Sequence, residues 1–157
     1  MEYMSQECYD QLVAELQQLI NVDLPKAKSE LVEAREKGDL SENFEYHAAK
    51  REHGRLLGRI RFKQRVLMNA RVLDTSLLDN DTVGLLRKVE FTNLGNNTRM
   101  AYTIVNPHEA NLKEGKISIK SPIAEALLGK KVGDVVEAQV PTGTLQLRID
   151  NIVITQK

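Results

Sequence analysis

Cysteine is almost missing from this sequence. Cys8 is the only one in 157 residues, which excludes an internal disulfide and any cluster of thiolate metal ligands. Tryptophan is absent altogether. No apolar run approaches the roughly 20 residues that a membrane span needs. The opening Met1-Glu2-Tyr3-Met4-Ser5-Gln6-Glu7 is acidic and polar and has no signal-peptide core. A cytoplasmic protein without membrane contact is therefore expected. Three histidines are too few and too scattered for zinc: His47 and His53 fall on different faces of a helix, and His108 is far away in sequence. There is no glycine-rich phosphate loop, and Ser41 has no histidine placed to activate it as a nucleophile. Nothing here resembles a self-contained catalytic centre, and no small-molecule substrate is expected.

Net charge is also absent, with 22 basic residues against 22 acidic, but its distribution is uneven. Residues 1–45 carry eleven acids against four bases (Lys26, Lys28, Arg35, Lys37), a net of −7, and residues 46–74 carry eight bases against two acids, a net of +6. An acidic stretch followed at once by a basic one predicts two antiparallel segments that attract each other.

The same stretch is poor in helix breakers, with three glycines and one proline from Glu7 to Asp74. Leu12, Leu16 and Leu19 or Ile20, then Leu24, Ala27, Leu31 and Ala34, recur in steps of three and four, with a phase slip near Ile20. Pro25 predicts a kink or a helix restart. After Gly38, a residue suited to a left-handed cap, Ala49, Leu56, Ile60, Leu67 and Ala70 form a matching stripe. Residues 1–74 thus read as a coiled-coil hairpin with its tip at 38–43. Each arm of about 30 residues would reach roughly 45 Å.

Residues 75–81 read as a linker, and residues 82–157 as a compact antiparallel sheet domain. Its strands are expected at 88–92, 100–105, 116–119, 135–140 and 145–154, with a short helix at 122–128. The fold class is α+β.

Two features invite a chemical reading. At the tip, Asp39 and Glu42 are spaced as an N-cap and its capping-box partner for the second helix. The same two carboxylates at a protruding turn can instead supply oxygens to magnesium, which binds through one or two carboxylates plus phosphates and waters. On the second arm, Arg51, Arg55 and Arg59 repeat every four residues. They form either a stripe paired with Glu30, Glu33 and Glu36 across the hairpin or a track for a phosphate backbone.

The tip, Gly38-Asp39-Leu40-Ser41-Glu42-Asn43-Phe44-Glu45-Tyr46-His47-Ala48-Ala49, closely resembles the signature of the bacterial GreA/GreB family of transcript-cleavage factors. Gly115-Lys116-Ile117-Ser118, Ser121-Pro122-Ile123-Ala124 and Ala126-Leu127-Leu128-Gly129 resemble that family's C-terminal domain. The resemblance covers essentially the whole chain. It implies an N-terminal coiled coil and an FKBP-like C-terminal domain that docks at the rim of the RNA polymerase secondary channel while the hairpin enters it. Asp39 and Glu42 would then share a catalytic Mg2+ with the polymerase, which itself hydrolyses the backtracked RNA. The factor would be a monomer, no enzyme on its own, with no cofactor bound when alone. Resemblance further assigns Tyr46 to tip architecture near the RNA 3′ segment, Arg51 and Arg55 to RNA contact, and Ser121 and Pro122 to docking; Arg59, a few turns behind the tip on the same repeat, is expected to join the RNA contact. Ser41 and Phe44 depart from the lysine and alanine common in GreA tips, although Ser41 occurs in GreB. His108-Glu109-Ala110-Asn111 replaces a more acidic run.

Rival expectations are a channel-occupying inhibitor without cleavage stimulation, a prolyl isomerase and a purely structural coiled coil. An inhibitor has no need of the acid pair. An isomerase pocket needs aromatics, and residues 75–157 hold only Phe91 and Tyr102.

Overall fold

Helix-favouring residues with an apolar stripe need a partner to bury that stripe, and the first 70 residues supply it to themselves. The computed structural model describes residues 2–38 and 43–154. Helix α1 (Gln6–Gln18), a π-helical turn (Leu19–Asp23) and helix α2 (Leu24–Glu36) form the first arm, and helix α3 (Phe44–Asn69) forms the second. Leu19, Ala27, Leu56 and Ile60 make the buried seam, with Leu16 and Leu24 against it.

The phase slip has a physical form. Buried Leu12, Leu19, Ala27 and Ala34 follow at intervals of seven, eight and seven residues. The long interval spans the π turn, in which the Leu24 N–H reaches back five residues to the Leu19 carbonyl. A π turn absorbs one extra residue, so the apolar side chains after it return to the face they would otherwise drift from. Pro25 sits in the first turn of α2. The backbone stays right-handed helical through Asp23 and Leu24, so the chain restarts its α-helix there without a break. The wider turn before Pro25 removes the crowding that its ring would meet in a continuous α-helix.

Two compact units divide the chain: Tyr9–Ala70, and Met1–Cys8 together with Arg71–Lys157. The short strands β1 (Glu2–Met4) and β2 (Ala70–Val72) pair with each other. A second sheet contains β3 (Arg87–Asn93), β4 (Thr98–Val105), β5 (Lys116–Ser118), β6 (Val135–Val140) and β7 (Gly143–Ile154), in the order β5-β4-β3-β7-β6. Three neighbouring pairs are antiparallel, as the strand spacing predicts. The pair β4–β5 is parallel, with Thr103 opposite Lys116 and Val105 opposite Ser118, so the sheet is mixed. The connection from 106 to 115 carries the chain back along β4 before β5 begins, as a parallel pair requires.

Alternation drives this sheet. Val89 and Phe91 point inward while Lys88 and Glu90 point away. Val89, Phe91, Ile104, Ile117, Leu147, Ile149 and Ile152 fill the core, and helix α4 (Pro122–Leu127) adds Ala124 and Leu127. The β3–β7 register shifts between Glu90 and Phe91, leaving Asp150 as the extra bulge residue. Its carboxylate accepts from the Thr92 hydroxyl at 2.5 Å and from Arg148 Nε at 2.9 Å. Among the described residues, no helix is long and apolar enough to cross a membrane.

Candidate functional site

Asp39 and Glu42 lie outside the described residues, which flank them with Gly38 on one side and Asn43 on the other. Helix α2 closes with Lys37, whose N–H donates to the Ala34 carbonyl at 3.3 Å. Gly38 follows with φ of 138°, a conformation that glycine adopts without strain. The N-cap of α3 is Asn43, whose side-chain oxygen accepts from the Tyr46 N–H at 2.9 Å. This corrects the capping-box reading of Asp39 and Glu42. A cap must be the last non-helical residue before the first turn, and α3 begins at Phe44. The cap position is therefore already filled.

Asn43 also holds the two arms together. Its amide nitrogen donates to the carbonyl of Ala34, so one side chain satisfies a donor at the start of α3 and an acceptor near the end of α2. Around it, Lys37 Nζ meets Glu45 Oε2 at 2.9 Å. That hydrogen bond, with the Glu45 charge, raises the Lys37 ammonium above its ordinary range. The Arg35 guanidinium lies 5.7 Å from the Tyr46 ring centroid, and the Tyr46 and His47 rings meet edge-on at 5.5 Å. The base of the tip is thus pinned from both arms by Asn43, Arg35, Lys37, Glu45 and Tyr46. Only Tyr46 of these five was singled out from the sequence. The signal for Asn43 was an amide immediately before an apolar helix start.

The arginines occupy a different surface. At about 100° per residue, the seam residues Ala49, Leu56, Ile60 and Leu67 cluster on one side of α3, and Arg51 and Arg55 fall about 140° away. Arg51, Arg55 and Arg59 are all exposed. Among the described residues, Arg55 pairs with Glu52 of its own helix, at 3.7 Å, and Arg51 and Arg59 form no ion pair. The expected neutralisation by Glu30, Glu33 and Glu36 is not observed among the described residues: Arg51 and Arg55 lie on the far side of α3 from the seam, whereas Arg59 flanks the seam and lines a groove with Gln11, Glu15 and Gln18 of α1. Attraction between the arms comes from Lys63–Glu15 at 2.7 Å and Lys37–Glu45.

In the sheet unit, Ser121 caps α4: its hydroxyl accepts from the Ala124 N–H at 3.3 Å, and Pro122 opens the helix. Pro122 is exposed and Ser121 half-buried. This pair belongs to the sheet unit, and Tyr46 and the arginines to the helical one. The stretch from His108 to Asn111 works internally. Glu109 accepts from the Ser5 hydroxyl at 2.8 Å, and the Asn111 side chain accepts from the Lys113 N–H at 3.1 Å. Buried Asn106 bridges the Tyr3 carbonyl and the His108 N–H, both at 3.0 Å. Among the described residues, no group of three or more His, Cys, Asp and Glu side chains could hold a metal ion.

The class defined by these features is a two-part factor, in which two antiparallel helical arms with an exposed row of arginines are joined to a mixed-sheet unit. Comparison with known proteins makes the class specific. Residues 2–72 match the family description "Transcription elongation factor, N-terminal", and residues 78–153 match "Transcription elongation factor, GreA/GreB, C-term". Transcription elongation factor GreA of Flavobacterium johnsoniae is 46% identical over 149 residues, covering 95% of this chain and 94% of that protein. The protein of the same name from Christiangramia forsetii is 45% identical over 152 residues, covering 97% and 96%. Among solved structures, GreA factor homolog 1 of Thermus thermophilus shares 30% identity across 96% of this chain and 97% of its own, with a TM-score of 0.44. The chain belongs to the GreA/GreB family of transcription elongation factors.

Proposed function

We propose that this factor binds bacterial RNA polymerase, inserts the hairpin tip into the secondary channel, and stimulates the polymerase's own endonucleolytic cleavage of backtracked RNA. Family membership supports the polymerase as partner. The observation that carries the cleavage reading is the cap assignment: Asn43 fills the N-cap of α3, which leaves Asp39 and Glu42 without the capping role that would otherwise account for them.

The donor set suits magnesium, which favours hard oxygen ligands and accepts one or two carboxylates alongside phosphate and water. Asp39 and Glu42 are the residues that would hold it, sharing it with the polymerase. When bound, the ion supplies Lewis acidity to a phosphate oxygen and a water. The chain's own work is delivery. The Asn43 bridge and the Lys37–Glu45 pair tie the end of α2 to the start of α3 on either side of the acid pair. Tyr46 supports the tip, Arg51, Arg55 and Arg59 offer cations to the 3′ segment of the RNA, and Ser121-Pro122 belongs to the surface that docks at the channel rim.

A defined backtracked elongation complex tests this. Added protein should release short RNA fragments faster than the polymerase alone. Asp39→Asn with Glu42→Gln should lower that stimulation by about 10²-fold, a size typical of losing a charge-stabilising group. The thermal transition should be unchanged, because neither residue is the cap. Stimulation that survives both amides refutes the metal role, and binding without faster cleavage identifies an inhibitor.

A further inference from the structure

Phe44 is the most exposed large apolar side chain among the described residues, at 85%. It stands at the first position of α3, directly after the Asn43 cap and two residues beyond Glu42. Folding does not account for it. It packs into neither core, and alanine is a better helix former at such a site. A ring held in water at a rigid helix start is suited to contact a partner.

The surroundings specify that partner. At about 100° per residue, Arg51 and Arg55 lie within about 20° of Phe44 around α3, and Arg59 about 60° round. The only carboxylates of α3, Glu45 and Glu52, lie about 100° and 80° away. The face holding Phe44, Arg51 and Arg55 is therefore aromatic and mainly cationic and turned away from the seam, with Glu52 at its edge pairing with Arg55 at 3.7 Å. An apolar protein pocket would require no such cations. A single strand of nucleic acid requires both, because its bases stack on rings while its phosphates meet arginine.

We infer that Phe44 is a stacking platform for an unpaired RNA base, that of the first nucleotide on the 3′ side of the phosphodiester to be cut. This rests on the cleavage reading above. Phe44 follows the acid pair in sequence, and the arginines continue along the same face of α3 in the direction the released segment would run. Stacking fixes the nucleotide beside the scissile bond and makes cleavage sensitive to what base stands there. Purines, with their larger faces, are favoured over pyrimidines.

The test uses the full-length factor with backtracked complexes that differ only at that nucleotide: purine, pyrimidine or abasic. Wild-type protein should stimulate cleavage roughly tenfold more with a purine than with an abasic site, the size expected of one base–aromatic stack. Phe44→Ala and Phe44→Leu should treat all three RNAs alike, and Phe44→Trp should restore the preference. Unchanged thermal transitions for the variants will show that folding is not the cause. If Phe44→Leu keeps the wild-type preference, the contact is a general apolar one, with protein, and the inference fails. Stimulation identical for all Phe44 forms on all RNAs also overturns it and leaves the cleavage reading standing. Failure of wild-type protein to stimulate cleavage on any RNA removes both.

Discussion

In the sheet unit, Val89, Phe91, Ile104, Leu127 and Leu147 are fully buried at 0% exposure, whereas the buried residues of the hairpin, among them Leu19, Ala27, Ala34, Leu56 and Ile60, all retain 5–7%. The sheet encloses a core with an inside. The hairpin has a seam one side chain wide, with Ala27 and Ala34 among its buried residues. Its long surface is consequently available for display, and Phe44 and the arginines are found on it. Residues that hold the fold and residues proposed to meet a partner are segregated by this difference in depth.

The strongest test of that contrast removes a ring from the deeper region. Phe91→Ala should destabilise the sheet unit by about 3–5 kcal/mol, because the enclosed site cannot collapse onto the space left behind. Hydrogen exchange read separately over β3–β7 and over α3 should show lost protection confined to the sheet. Equal loss in α3 would mean that the two regions fold as one cooperative block.

A second test addresses the seam. If the π turn exists to absorb one extra residue, deleting exposed Asn21 should give even seven-residue spacing. It would also force Pro25 into an uninterrupted α-helix at a cost of about 3 kcal/mol. The deletion combined with Pro25→Ala should recover at least wild-type hairpin stability, followed by the helical signal on heating. Failure of the combined variant to recover would show that the extra residue serves something other than phase.

These features differ in how far they can be read from sequence, for physical reasons. The seam is legible because a repeat of three and four is imposed by the helix itself. The slip at Ile20 is visible as a count, but a count of eight cannot distinguish a π turn from a kink. The capping residue is harder: Asp39 and Asn43 are both good caps, and only the observed start of α3 at Phe44 decides between them. The direction of the arginines is implicit in the period, since Arg51 and Arg55 fall opposite Leu56 and Ile60. The charge tally obscures it by suggesting that acids and bases must face each other. Strands β1 and β2 have three residues each and lie far apart in sequence, so no turn or alternation announces them. For the acid pair, motif resemblance supplies the chemistry while spacing alone supplies only a cap.

The smallest expected effect separates the regions by pH. Asp150 is held below its ordinary carboxylate pKa of 3.8, chiefly by the Thr92 hydroxyl and then by Arg148, and Asp74 is lowered by Ser76 in the same unit. A depressed acid stabilises the fold above its unfolded pKa, and that contribution is lost as pH falls through the folded value. The sheet unit should therefore weaken below about pH 4, and Asp150→Asn should flatten part of that acid limb. Lys37, raised by Glu45, acts with the opposite sign: its contribution is complete below its unfolded pKa of 10.5 and is lost as pH rises beyond it. Because that pair is solvent-exposed, Lys37→Gln should barely move the alkaline limb of the hairpin. Urea midpoints across pH read both limbs. An acid limb that Asp150→Asn leaves untouched would mean that the bulge hydrogen bonds form equally well with a neutral carboxyl, and that Asp150 was selected for its shape in the bulge and not for its charge.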